Sequence, residues 1–306
     1  MSYDHPYSGG DSDFIKKHWD GDYSLAKSYW VNTLFVSLVF VLCAQLLFQF
    51  FDERTHARYV SSAVLFVTLL SVAVWCWSVI GTWRSASKHV SRGGKPFWAI
   101  AAKVAIALGA FRVLNSLIIQ TPFLAEHFRV AMGQQLGPET SIQLRTDGRS
   151  ILVSGGINDD TAERLQQALT QTPRIRTIVL SSKGGWVSQG LNLAAVITSR
   201  RLSTDVEDEC SSACTIAFLA GLERVAGPKA RIGFHSFRTV GMQDASVNST
   251  LLQKVYREAG LSDAFIARVS KTPPTEMWYP TIGELLESGV LTRVSMGGGG
   301  TAASNR

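Results

Sequence analysis

Residues 176–221 read RTIVLSSKGGWVSQGLNLAAVITSRRLSTDVEDECSSACTIAFLAG, and the hydrophobic pattern changes period several times along them. Residues 176–182 are an apolar, β-rich run of the buried-strand type. A Gly-Gly turn at 184–185 follows, then an apolar helix near 186–200 and a second strand near 202–207. A further helix is expected to begin around Ser212. Strands that alternate with helices predict an α/β domain with a largely parallel sheet. Upstream, SIQLRT (141–146) and SILVSG (150–155) flank Asp147-Gly148 and read as a hairpin. Residues 158–171 have helical spacing, with Asn158, Asp159 and Asp160 as candidate caps. Downstream, a strand is expected near 231–236 and helical pattern returns over 245–270 and 281–288. The tail SMGGGGTAASNR (295–306) has nothing to bury and is expected to be disordered. No solenoid-type repeat is present.

The first half of the chain is of a different kind. Hydrophobic residues make up 46% of the 306 and charged residues only 18%, an apolar balance for a soluble enzyme. That apolarity is concentrated in three runs. Residues 29–51 and 60–83 carry no charge and are each long enough to cross a bilayer core of about 30 Å as a helix. The third, 97–120, contains Lys103 and Arg112, so an interfacial amphipathic helix competes with a third span. Lys16, Lys17 and Lys27 precede the first run, and Arg84, Lys88, Arg92 and Lys95 lie between the second and third. Arg54 and Arg58, between the first and second, are offset by Asp52 and Glu53. Lys and Arg gather on the cytoplasmic side, which puts residues 1–28 inside and residue 121 onward outside. In a bacterium this is the inner membrane, with the second half in the periplasm. Trp30, Trp83 and Trp98 near the run ends fit an interfacial aromatic belt. Residues 121–140 are expected as a linker, and no cleavable signal peptide is visible. The net charge of +6 is explained by this orientation, and with no nucleic-acid motif or basic stripe a nucleic-acid partner is not expected.

Three short stretches carry chemistry. Ser181-Ser182-Lys183-Gly184-Gly185 lies between a strand and a helix, where paired glycines leave N–H groups free to face a ligand. Cys210-Ser211-Ser212-Ala213-Cys214-Thr215 opens a helix and presents a hydroxyl at its start; a plain serine N-cap is the other reading. Arg231-Ile232-Gly233-Phe234-His235-Ser236 ends a strand in a histidine, a residue more often structural than catalytic there. Of six histidines, however, only His235 lies beyond residue 127.

In this order the three stretches resemble the Clp protease family of the crotonase-like superfamily, over roughly residues 141–294. INDDTAERL and ELLESGVLT look like the family's ends. The resemblance implies a domain of repeated β-β-α units, with Ser212 as nucleophile, His235 as base (235 − 212 = 23 residues away) and Gly184 and Ala213 as oxyanion-hole donors. It implies a peptide or protein substrate, possible homo-oligomers, and no metal or cofactor. Where the family has proline before the glycines, this chain has Lys183. The third triad member is poorly marked: Glu276, in TPPTEMWYP, is the nearest acid to the family's position, with Asp244 and Asp263 as alternatives and a Ser–His dyad if none serves. The flanking cysteines look like a branch of membrane-anchored bacterial relatives. Outside the cytoplasm Cys210 and Cys214 are expected to form a short-loop disulfide, provided Cys210 precedes the helix proper; two small buried residues are the other reading. Two rival functions remain: a Ser–Lys enzyme of the signal-peptide-peptidase type using Lys254, and a crotonase-like scaffold or binding module without catalysis.

Overall fold

The computed structural model describes residues 10–238, 240 and 250–295. The chain divides into two compact units, Met1–Phe51 with Ser62–Ala125, and Asp52–Ser61 with Glu126–Arg306.

The first unit contains helices α1 (Gly10–Trp19) and α2 (Lys27–Phe48), all of α3 (Ala57–His89) but its first turn, which belongs to the second unit, and α4 (Pro96–Ile119). The last three are long and apolar enough to cross a membrane. Only 6% of each apolar window is buried within the chain, so nearly all of that surface needs an apolar environment from elsewhere. α3 runs past residue 83 through the basic stretch to His89. Pro96 opens α4, where its missing N–H costs nothing. Lys103 lies 5.3 Å from the centroid of the Trp83 ring, a cation–π contact for one of the two cations within α4. The polar N-terminal stretch is α1, fixed to α3 by hydrogen bonds from Trp77 Nε1 to Ile15 O (3.1 Å) and Arg84 to Trp19 O (2.8 Å). The first nine residues of α2, Lys27–Phe35, wind as a π-helix, and Asn32 from that segment meets His18 Nδ1 at 2.9 Å.

The second unit is built on a seven-stranded sheet: β1 (Ser141–Leu144), β2 (Ser150–Ser154), β3 (Thr177–Ser182), β4 (Ser203–Ser211), β5 (Arg224–Ala226), β6 (Arg231–Gly233) and β7 (Arg293–Val294). The order is β1-β2-β3-β4-β5-β7, with β6 paired to the far half of β4. Only β1 and β2 are antiparallel. Their turn is tied by Asp147, whose Oδ1 accepts the N–H groups of Arg149 and Ser150, each at 2.9 Å. Helices α6 (Thr161–Gln171), α7 (Val187–Ser199) and α8 (Ala213–Leu219) alternate with β2, β3 and β4. Ile178, Val179 and Leu180 are successive buried residues of β3, as in a strand covered on both faces. The β-β-α order holds for β1, β2 and α6, whereas α7 and α8 each follow a single strand.

Several expectations are corrected. The first half of the expected linker is helix α5 (Thr121–Ala131). β4 runs on to Ser211 instead of ending near 207, through a register shift opposite Leu180–Ser182 that bulges it. β5 and β7, three and two residues long, are too short to show a period. The pattern over 245–270 is two helices, α9 (Thr250–Glu258) and α10 (Asp263–Lys271). Gly260 at φ +83 ends the first and the Ser262 hydroxyl caps the second. α11 (Ile282–Glu287) opens with a Thr281–Glu284 capping box. None of the three candidate caps of α6 serves by its side chain: Asp160 is the cap residue without a side-chain bond, and Asn158 Oδ1 accepts from Leu136 N instead. Of the tail, residues 296–306 lie outside the described residues.

Candidate active site

Ser212 is the single residue between β4 and α8. It has φ +56 and ψ −129, a backbone conformation L-residues avoid and one that persists at functional turns. Its N–H donates to Gly233 O at 2.9 Å, fixing it against β6. It occupies the N-cap position, yet its side chain makes no capping bond. The hydroxyl instead meets His235 Nε2 at 2.6 Å. Strand pairing explains this meeting: Ser211 is in register with Gly233, so Ser212 and His235 leave neighbouring strand ends together. Phe234 exchanges two backbone hydrogen bonds with Trp278 (2.8 and 2.9 Å), and Ser236 bonds to Thr272 O, which fixes the backbone on both sides of His235. Burial pushes the His235 pKa below its ordinary value, against a smaller opposing pull from the Ser236 backbone. A half-buried imidazole that stays neutral is suited to accept a proton.

The backbone around the hydroxyl differs in one detail from the expectation. Gly184, at φ +104, lies directly against Ser212: a Cβ there would come within 2.7 Å of the Ser212 Cβ. Its N–H, however, turns back to Ser182 Oγ at 3.1 Å and is not free. For the neighbouring Gly185 and the expected Ala213, both beside Ser212, no hydrogen bond of the N–H group is described. Gly185 borders both clefts beside Ser212. Gly185 thus stands beside Gly184 and Ala213 as a candidate donor. The Gly-Gly sequence marked the turn, but which of two adjacent amides faces out depends on the φ of each. Cys210, at the end of β4, and Cys214, in the first turn of α8, are joined as a disulfide that brackets Ser212.

Among the described residues no candidate acid is hydrogen-bonded to the imidazole. Glu276 is exposed on the loop after α10, and His235 Nδ1 has no hydrogen-bond partner among the described residues. Asp263 is 93% exposed and lies 3.8 Å from Arg257. Asp244 lies outside the described residues. The alternative base, Lys254, is two-thirds exposed on α9 and pairs with Glu258 at 3.7 Å. No group of three His, Cys, Asp or Glu residues suited to a metal ion occurs among the described residues.

Ser212 stands between two clefts. One, of about 590 Å3, includes Lys183, Asp208 and Glu209 and is charged. Glu209 is held there by Ser211 Oγ (2.9 Å) and Tyr279 Oη (2.7 Å). The other, of about 630 Å3, contains both Ser212 and His235 and is walled by Trp186, Val187 and Phe237. The sequence offered no signal for Trp186 or Phe237, which read there as ordinary core residues.

No protein-family model and no curated protein matches the chain. Among solved structures it is similar to ClpP1 from Listeria monocytogenes and to an asparagine-to-aspartate variant of that protein. Each comparison gives 22% identity and a TM-score of 0.41, over 49% of this chain and 92% of the other. The roles of individual residues rest on the geometry above.

Proposed function

We propose that the second unit is a membrane-anchored serine peptidase working through a Ser212–His235 dyad outside the cytoplasm. The observation that carries the reading is the 2.6 Å approach of Ser212 Oγ to His235 Nε2, with the serine free of its capping role. His235 removes the hydroxyl proton as Oγ attacks the peptide carbonyl carbon. The oxyanion of the tetrahedral intermediate accepts hydrogen bonds from the Gly185 and Ala213 amides, a kind of donor worth about 3 to 4 kcal/mol each. His235 then gives its proton to the departing amine, leaving an acyl ester on Ser212. Water, deprotonated by the same imidazole, cleaves the ester and returns the proton to Oγ. The peptide bond as scissile group is supported by the ordered motifs that resemble Clp proteases.

Location outside the cytoplasm is supported by the basic residues before α2 and between α3 and α4. It is supported also by residues 52–61, which belong to the same unit as residues 126–295 and hence lie on the same side of any bilayer.

The test is a fluorophosphonate probe followed by a peptidase assay on the full chain in detergent or nanodiscs. Wild type is expected to label and Ser212→Ala not to, and His235→Ala is expected to lose at least about 100-fold in turnover. Loss with Lys254→Ala but not with His235→Ala would move the base to the lysine. Well-folded wild type that never labels would favour the scaffold reading.

A further inference from the structure

Residues 52–61, the link after α2 together with the first turn of α3, are built into the second unit. Arg54 O accepts from Asn192 Nδ2 of α7 at 3.1 Å, and His56 Nε2 meets Glu163 Oε1 of α6 at 3.0 Å. Arg58 Nε donates to Ala131 O at 3.1 Å, and Ser61 Oγ meets His127 Nδ1 of α5 at 3.0 Å. Four attachments within eight residues, to three helices, hold them as a fixed wall. That wall lines the cleft of about 630 Å3 in which Ser212 and His235 lie, contributing Glu53, Thr55, Ala57, Val60 and Ser61 to a lining that also holds Trp186 and Phe237. Glu126 and Arg238, also on the lining, neutralise each other in a two-pronged ion pair at 2.7 and 3.1 Å. Glu53 and Arg129 are the other charged residues of the lining, and more of its surface is apolar than polar.

We infer that Ala57 and Val60 are specificity-determining residues: with Trp186 and Phe237 they receive an apolar side chain of the substrate beside the scissile bond. This inference rests on the peptidase reading. A peptide whose carbonyl carbon reaches Ser212 Oγ has to lay a neighbouring side chain in this cleft. A charged side chain laid against Ala57, Val60, Trp186 and Phe237 sheds its hydration without a partner of opposite sign among those four. The substrate site is thus completed by residues that, in the chain, lie at the start of α3 and just before it, far from the motifs.

The test uses the full chain in nanodiscs and a set of fluorogenic peptides identical except for Leu, Phe, Asp or Lys next to the scissile bond. Wild type is expected to favour Leu and Phe over Asp by at least tenfold in kcat/KM. Val60→Asp is expected to shrink that ratio at least tenfold, and the milder Val60→Ala to shift preference from Leu toward Phe. Labelling of Ser212 by a small fluorophosphonate is expected to persist in both variants, at whatever rate, as the sign of an intact nucleophile. Equal turnover of all four peptides, or an unaltered ratio in both variants while labelling persists, would overturn the inference alone. Absence of labelling in wild type would overturn the peptidase reading and the inference with it.

Discussion

Ser212 holds a positive φ that only the surrounding sheet and helix enforce, at a cost of about 1 to 3 kcal/mol. Ser212→Gly is therefore expected to melt at a higher temperature than Ser212→Ala, by about 1 kcal/mol in stability, although both are inert. Equal melting temperatures for the two would show that the turn is relaxed. The second prediction at this scale concerns pH. His235 must be neutral to accept the hydroxyl proton, and burial lowers its pKa. The acid limb of kcat/KM is then expected to have its midpoint below about 6.5, with activity rising through it and holding above. The same sign governs stability: the unfolded chain takes up this proton at higher pH than the folded one, so stability falls as pH drops through the unfolded value. A limb centred above 7 would point to another titrating group.

At the scale of elements, the site depends on how closely α7 and α8 approach. Gly190 of α7 makes that approach possible, since a Cβ there would stand 2.6 Å from Ala213 O in the first turn of α8. Gly190→Ala is expected to cost about 1 to 3 kcal/mol by overpacking and to slow fluorophosphonate labelling, because the displaced turn carries Ser212. Labelling at the wild-type rate in a stable Gly190→Ala protein would show that the turn tolerates the shift. The Cys210–Cys214 disulfide closes a loop of only five residues, counting both cysteines, between strand end and helix start. By chain entropy such a loop stabilises by about 2 kcal/mol, so Cys210→Ala with Cys214→Ala is expected to lower the thermal midpoint by several degrees. Reductant is expected to destabilise wild type and leave the double variant unchanged.

For the whole molecule, residues 52–61 and the sheet domain share one side of a bilayer if the chain spans one. Single cysteines placed at Glu53 and at Arg293 are expected to react with an impermeant maleimide added outside cells, and one at Lys95 only after lysis. Reaction at Lys95 with protection at Arg293 would invert the proposed orientation. Opposite behaviour of Glu53 and Arg293 would contradict the attachments of the inter-helix segment to α5, α6 and α7.

Local pattern was enough to read the long apolar helices, the alternation of strand and helix from β2 to α8, and His235 as the lone histidine of its half; its pairing with Ser212 came from the resemblance to Clp proteases. Each of the three local readings is a matter of period, length or inventory: a run of uncharged residues, a change from period 2 to 3.6, a single histidine in one half. The amide that faces the cleft, the continuation of β4 to Ser211, the unpartnered Nδ1 of His235 and the wall formed by Ala57 and Val60 could not be read in this way. They depend on backbone torsions at single residues and on contacts between segments more than a hundred residues apart. No neighbour in the chain records such contacts, because the side chains that meet there look, locally, like ordinary members of a turn or a helix.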